Sequence, residues 1–329
     1  MNKKGTSLAL ALSLCLTMLP TTAWAAEPAA QSEGTGVVQQ EETSEAVAEV
    51  SGEGVGGQYA TLEDAFAEAA KCSIGHATIT LLSNVTLTED VTVPSSQSTI
   101  LNVGEYAVTG AGNIQVEEYG YLSIHGKGTI HCPVYVGPQA RFWAGWSEWS
   151  GTVDTLVVSS EVDSCDVGGG TYKTISSMDN PWELVKILDD CAFRGEDGNY
   201  VRCDTVVTND SPVQNVTATA CYHTPIDGAN GHCDYCNENM LARIGEQGYY
   251  RLWDGTQENS AMNQVKSGQT VTLLRDQGEV KARPDTDYTF DLNGKTVSSL
   301  IIEKGQPKIA DSVGTGSIGT LTIANDLTI

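Results

Sequence analysis

Short runs of alternating apolar and polar residues follow one another through much of the chain. They are rich in Val, Ile, Leu and Thr and end at Gly, Asn, Asp, Ser or Pro. Alternation with period two places successive side chains on opposite faces of a strand, and many short strands at close spacing are typical of all-β solenoids, sandwiches and barrels. The clearest runs lie at 78–82, 85–87, 90–93, 99–103, 113–116, 121–124, 128–130, 134–136 and 155–158.

The connections between these runs favour a parallel arrangement. Asn-Gly and Asp-Gly dipeptides, which promote two-residue hairpin turns, are scarce among them. We therefore favour an all-β chain of right-handed parallel β-helix repeats over a sandwich. Stacked coils bury one continuous core and need capping at their ends. The sequence Thr61-Leu62-Glu63-Asp64 predicts a short amphipathic helix in that position, with Thr61 as its N-cap.

Two further local elements are predicted downstream. An Asn-Pro pair at 180–181 is typical of a helix start, because Asn caps helices and Pro fits the first helical position. That helix is predicted to end at Asp189. The segment that follows predicts a β-hairpin around Gly198, which would place Cys191 opposite Cys203. These two cysteines are either a disulfide or two small buried apolar side chains.

The run at 78–82 is echoed by Thr270-Val271-Thr272-Leu273-Leu274, each behind a short helix-like segment. Self-similarity at this scale indicates a repeat array. The second copy stops in mid-pattern at 327–329. We expect a signal peptide at 1–25, a disordered acidic linker at 26–57, a β-helix repeat domain at 58–206, a Cys/His knuckle linker at 207–245 and a second, incomplete β-repeat at 246–329.

The amino-terminal segment predicts secretion. Lys3 and Lys4 precede the apolar run Leu8–Leu19, and small residues precede a cleavage point before Ala26, a combination typical of a signal peptide. The apolar run is shorter than the roughly 20 residues that a spanning helix needs, and no later stretch reaches that length. We therefore expect a secreted or cell-surface protein with no membrane span.

The chain is strongly acidic, with 42 Asp and Glu against 18 Lys and Arg and a net charge of −24. This balance argues against nucleic acid as a partner, because nucleic-acid binding depends on Lys and Arg neutralising phosphates. The acidity serves either solubility or attraction to cations and basic host surfaces.

Several motifs along the chain carry a resemblance to a known family. They are the runs at 78–82 and 270–274, Asp291–Thr296, Gly169–Tyr172, Ala192–Arg194 with Asp197-Gly198, and the Cys/His segment from 221 to 236. They resemble the pectate-lyase-like β-helix repeats of large secreted surface proteins from Gram-positive gut bacteria. The resemblance covers about residues 58–329 and implies cell-surface location and adhesion or glycan contact without a defined activity. As the partner we expect a host glycoprotein, immunoglobulin or glycan, bound by a monomer or by part of a longer array.

The sharpest local pattern is Cys221-x-His223-x9-Cys233-x2-Cys236. Two close pairs of thiolate and imidazole ligands joined by a short loop suit tetrahedral zinc, and four protein ligands leave no open position for a substrate. The pattern therefore predicts a structural zinc site, with His232 as a bystander. In a secreted chain the same cysteines are alternatively disulfides or free thiols.

Three of the six tryptophans, Trp143, Trp146 and Trp149, lie within seven residues. Aromatic side chains are enriched at recognition sites, so the cluster is either a ligand-binding face or an aromatic group packed on a solenoid turn. We assign the three residues as candidate ligand-binding residues.

Patterns that would indicate catalysis are less specific than the Cys/His pattern. Cleavage of acidic polysaccharide by a β-helix fold needs an acidic calcium cluster and a basic residue, and the candidates Asp163, Asp166 and Lys173 are loosely grouped. We assign no catalytic residues. The sequence favours a non-enzymatic secreted binding, adhesion or structural repeat protein, and the alternative is a carbohydrate-active lyase or hydrolase of β-helix fold.

Overall fold

The computed structural model describes residues 45–221, 223, 226–227, 231–252, 260–282 and 285–324. Strands make up 48% of the described residues and build a parallel β-solenoid of about 11 turns. The predicted all-β, parallel β-helix class is therefore confirmed. The predicted signal peptide and the first part of the predicted linker lie outside the described residues. No helix among the described residues is long and apolar enough to cross a membrane.

The first solenoid region starts with an antiparallel hairpin and a helix, namely β1 (Ala48–Gly52), β2 (Val55–Tyr59) and α1 (Leu62–Ala69). The linker prediction is thus wrong for residues 48–57, where β1 pairs with β2 on one side and with the first solenoid strand on the other. β1 is ordered because both of its edges form backbone hydrogen bonds with neighbouring strands, which the local amino-acid composition does not predict.

The predicted capping helix is confirmed as α1. Thr61 Oγ1 accepts a hydrogen bond from the Asp64 N–H at 3.1 Å, as an N-cap does. The helix packs against the first strands and covers the end of the core. Its buried face consists of Leu62, Ala65, Phe66 and Ala69.

Five parallel coils follow. Their strands are β3 (Ala77–Leu81), β4 (Val85–Leu87), β5 (Val91–Val93), β6 (Ser98–Gly104), β7 (Ala107–Gly110), β8 (Ile114–Val116), β9 (Tyr121–Gly126), β10 (Thr129–Ile130), β11 (Val134–Val136), β12 (Arg141–Ala144), β13 (Thr152–Val158), β14 (Ser164–Val167) and β15 (Thr171–Ser177). Sheet 1 contains β3, β6, β9, β12 and β14, and sheet 2 contains the other strands of the coils. Each coil uses 20 to 23 residues, as the paired positions Ala77, Thr99, Leu122, Phe142 and Cys165 show.

The alternating pattern sets which side chains enter the core. Leu101, Leu122 and Phe142 point inward from three successive coils of sheet 1, and none of them is exposed to solvent. Each buried side chain of this kind contributes about 1.5 to 3 kcal/mol relative to an exposed one. Because a shift by one residue would turn every such side chain outward, the hydrophobic pattern fixes the register of the coils.

The carboxyl end of the first region closes with irregular elements. They are β16 (Trp182–Glu183), a 3-10 helix (Leu184–Ile187), β17 (Cys191–Gly195), β18 (Val206–Val207) and β19 (Val213–Ala220). The predicted α-helix after 180–181 is therefore wrong. Trp182 pairs with Val207, and the Leu184 and Val185 N–H groups donate to carbonyls across the chain at 205 and 203, so tertiary pairing replaces the helical hydrogen bonds.

The turn at Gly198 is confirmed. Gly198 has a φ of 81°, and the Val201 N–H donates to the Phe193 carbonyl across the turn. The disulfide hypothesis is not borne out, because Cys191 and Cys203 are both free thiols. Their sulfurs lie against different carbonyl groups, those of Val167 and Cys233 respectively.

The second solenoid region repeats the start of the first. Its elements, with those of the preceding linker, are β20 (Ile226–Asp227), β21 (His232–Cys233), β22 (Ala242–Ile244), β23 (Gln247–Tyr249), α2 (Ala261–Gln264), β24 (Thr270–Leu273), β25 (Gln277–Ala282), β26 (Thr289–Asp291), β27 (Thr296–Ile302), β28 (Lys308–Ala310) and β29 (Ser317–Ile323). β22 is antiparallel to both β23 and β24, as β1 is to β2 and β3. From β24 onward the strands pair in parallel.

Candidate functional site

The four predicted metal ligands come together in the linker between the two solenoid regions. Their donor atoms all lie within 4.8 Å of one another. The sulfurs of Cys221 and Cys233 are 3.5 Å apart, and Cys236 Sγ is 3.3 Å from His223 Nδ1. Zinc bonds of about 2.3 Å to sulfur and about 2.0 Å to nitrogen would place tetrahedral ligands about 3.5 to 3.8 Å apart. The Cys/His cluster, defined as these four residues, therefore fits one zinc-sized ion.

Backbone donors position the sulfurs. The His223 N–H donates to Cys221 Sγ at 3.3 Å, and the Tyr235 N–H donates to Cys233 Sγ at 3.5 Å. Donors of this kind around the ligands fix their orientation and tune the charge at a metal centre. His223 has a φ of 53°, which is uncommon for a residue other than glycine. The backbone is thus held in an unusual conformation at a residue that carries a ligand.

The electrostatics of the cluster favour thiolate at one position. Hydrogen bonds from the Cys221 and Cys236 thiols lower the pKa of Cys233. The hydrogen bond to Cys233 raises the pKa of Cys221 to about 12, and hydrogen bonds to the other two sulfurs also raise the pKa of Cys236. Without a metal the three sulfurs therefore share protons, which a bound cation would displace.

Both solenoid regions contact the loop that carries the cluster. The Cys203 N–H donates to the Asp234 carbonyl at 2.9 Å, and Arg202 forms an ion pair with the Asp234 carboxylate at 2.8 Å. On the other side the Gly248 N–H donates to the His223 carbonyl at 3.0 Å. His232 lies outside the ligand set and hydrogen-bonds to Arg275 of the second region.

The candidate tryptophans separate into two environments. Trp149 is wholly buried in the core, so its assignment to a binding face is wrong. A backbone bridge between Gly126 and Trp149 sets its position in the stack, and its indole packs against Gly151 and Gly170, where a Cβ atom would lie within 3 Å of the ring. The absence of side chains at these glycines makes room for the ring inside the coil.

The other two tryptophans lie outside the buried core: Trp143 is on the outer side of sheet 1, and Trp146 is in the turn that follows β12. Trp143 stands between the buried residues Phe142 and Ala144, and its in-register neighbours on adjacent strands are Ser123 and Asp166. Its ring lies 5.8 Å from that of His125. Trp146 follows β12 and is 47% exposed, and its Nε1–H donates to the Asp189 carbonyl at 3.2 Å.

We name His125, Trp143, Trp146 and Asp166 the outer aromatic face. Burial lowers the pKa of His125 and raises the pKa of Asp166, so both side chains are shifted toward their neutral forms. His125 Nε2 lies 2.9 Å from Ser123 Oγ. Sequence reasoning missed His125, because residues 125 and 143 become neighbours only when the coils stack.

The residues that we considered for catalysis are not gathered. Asp163 forms an ion pair with Arg141, and Asp166 lies on the outer aromatic face. Lys173 belongs to β15 in sheet 2, where it forms an ion pair with Asp154 at 2.7 Å. Asp166 in sheet 1 and Lys173 in sheet 2 therefore lie on two different sheets.

The fold and these sites define a parallel β-solenoid protein with a Cys/His cluster between two repeats. Comparison with protein-family models, with curated proteins and with solved structures found no match. The solenoid is consistent with the pectate-lyase-like β-helix that the sequence resembles. Membership of the surface proteins of Gram-positive gut bacteria stays a prediction.

Proposed function

We propose that this chain is a secreted or cell-surface binding protein that contacts glycans, free or on a host glycoprotein such as an immunoglobulin. The observation that carries the proposal is the outer aromatic face. Trp143 presents its indole ring on the outer side of sheet 1 with His125 and Asp166 beside it, and Trp146, in the turn that follows β12, is 47% exposed. Flat apolar rings with polar groups at their edges suit sugar rings, which pair an apolar face with peripheral hydroxyls.

A non-enzymatic role is favoured over a lyase or hydrolase role. A polysaccharide lyase needs its acidic and basic groups on one substrate face, whereas Lys173 is paired with Asp154 in sheet 2. We therefore propose adhesion or glycan contact without bond cleavage. Formation of unsaturated uronate from acidic polysaccharide, followed by ultraviolet absorbance, would contradict this proposal.

The test of the binding face uses the double variant Trp143→Ala/Trp146→Ala on a glycan array. We expect binding to be lost while the melting temperature stays within a few degrees, since neither side chain belongs to the buried core. The matched control is Tyr106→Ala, because Tyr106 is an exposed aromatic residue outside the face. Equal loss of binding in both variants, or unchanged binding in the double variant, would refute the assignment.

We also propose that the Cys/His cluster binds one structural zinc ion that orders the linker. Support comes from the donor set, from the closeness of its four donor atoms and from the N–H groups aimed at the sulfurs. With four protein ligands such an ion has no open position. It would hold residues that contact both solenoid regions, and it would take no part in catalysis.

Metal content measured on protein purified without reductant tests the zinc proposal. We expect about one zinc per chain in the natural sequence and a loss of metal in Cys236→Ser. Cys203→Ser is the matched control, because Cys203 is a nearby free thiol outside the ligand set. Chelation should expose new protease sites between Thr217 and Met240 first, since metal binding and local folding are coupled. Cys233 and Cys236 found in disulfides without metal would defeat the proposal.

A further inference from the structure

A cavity of about 700 Å³ opens beside the Cys/His cluster, where the two solenoid regions meet. Asp190 lines it from the end of the first region, His223 and Glu238 from the linker, and Tyr249, Tyr250 and Arg251 from the second region. We name this space the junction cleft. Its volume is within the range of ligand sites, which commonly lie between domains.

One wall of the junction cleft is aromatic. The Tyr250 ring meets the His223 ring edge-on at 5.7 Å, and the Arg251 guanidinium lies 5.1 Å from the centre of the Tyr250 ring. The cleft thus already holds one cation over a tyrosine face. Burial raises the pKa of the adjacent Tyr249, so Tyr249 is a neutral phenol near pH 7 and offers the same kind of surface.

Two carboxylates also line the junction cleft, in addition to the Arg251 guanidinium. Asp190 and Glu238 both line the cleft, and neither belongs to an ion pair among the described residues. Next to them, burial and the charges of Asp166 and Asp190 raise the pKa of Asp189. Carboxylates crowded in this way lose repulsion when a cation approaches.

We propose that the junction cleft binds a cationic side chain, lysine or arginine, presented by a partner polypeptide. Tyrosine faces attract such a side chain through its cation and its apolar stem, and two carboxylates accept its hydrogen bonds. The chain's net charge of −24 increases the encounter rate with basic ligands. This site is separate from the outer aromatic face, so it stands if glycan binding fails.

The probe is an acetylated, amidated peptide of three Gly-Arg repeats, titrated calorimetrically into the full chain at two salt concentrations. We expect saturable binding, with no binding of the matching Gly-Gln peptide. Asp190→Asn and Glu238→Gln should each weaken binding by about two- to fivefold, the range of an exposed ion pair. Tyr249→Leu should weaken binding by a similar factor through loss of a cation–π contact.

The matched control is Asp285→Asn, which removes one exposed carboxylate outside the cleft. Its affinity for the peptide should stay unchanged, and circular dichroism should show that all four variants fold. Weakening by Asp285→Asn equal to that by Glu238→Gln would reduce the effect to net charge and overturn the proposal. Equal binding of the Gly-Gln peptide, or displacement of the Gly-Arg peptide by millimolar calcium, would also overturn it.

Discussion

Replacing Trp149 with alanine should destabilise the first solenoid region by about 3 to 5 kcal/mol. The Trp149 side chain has no solvent exposure, and a buried tryptophan removes about 150 to 250 Å² from water. At about 25 cal/mol per Å² this burial is worth about 4 to 6 kcal/mol. Alanine retains the Cβ atom, and the surrounding structure relaxes partly around the cavity. The expected loss of stability is therefore about 3 to 5 kcal/mol and not the full value for burial.

Urea unfolding followed by circular dichroism measures this loss. Trp146→Ala is the control, because Trp146 is 47% exposed and, like Trp149, lies shortly after β12 in the sequence. Its expected cost is within about 1 kcal/mol, as for most surface substitutions. The assignment of Trp149 to the core would be refuted if Trp149→Ala cost under 1 kcal/mol or if both variants lost the same stability.

Two further predictions concern the coil stack and its cap. Gly170→Ala should destabilise the protein by about 1 to 3 kcal/mol more than Gly54→Ala in thermal unfolding. Both glycines have positive φ, but only at Gly170 would a Cβ lie 2.2 Å from Trp149 Nε1, so equal losses would contradict this packing. Burial raises the pKa of Glu63, but hydrogen bonds from Thr88 outweigh it and leave the pKa lowered. Glu63→Gln should therefore lower the melting temperature at pH 7. The difference in melting temperature between this variant and the natural sequence should shrink as the pH falls and the Glu63 carboxylate becomes protonated, and a constant difference would contradict the prediction.

The local pattern of the sequence was sufficient for the coil strands, for the capping helix and for the set of residues in the Cys/His cluster. Period-two alternation identifies inward positions such as Leu101 and Leu122 without any knowledge of the neighbouring coil. Thr61 and Asp64 are three residues apart, so their capping bond depends on local geometry. Cys233 and Cys236 are equally close in sequence, and a short turn brings their sulfurs together.

Only the tertiary structure decided which side chains enter the core and which ones contact a residue distant in the sequence. The three tryptophans are alike in the sequence, yet stacking on Gly126 places Trp149 inside while Trp143 meets His125 on the outer side of sheet 1. Pairing with Val207 likewise replaced the predicted helix after 180–181. These outcomes depend on residues about 18 to 25 positions apart, whose contact is set by the length of each coil and by the hydrogen bonds between strands.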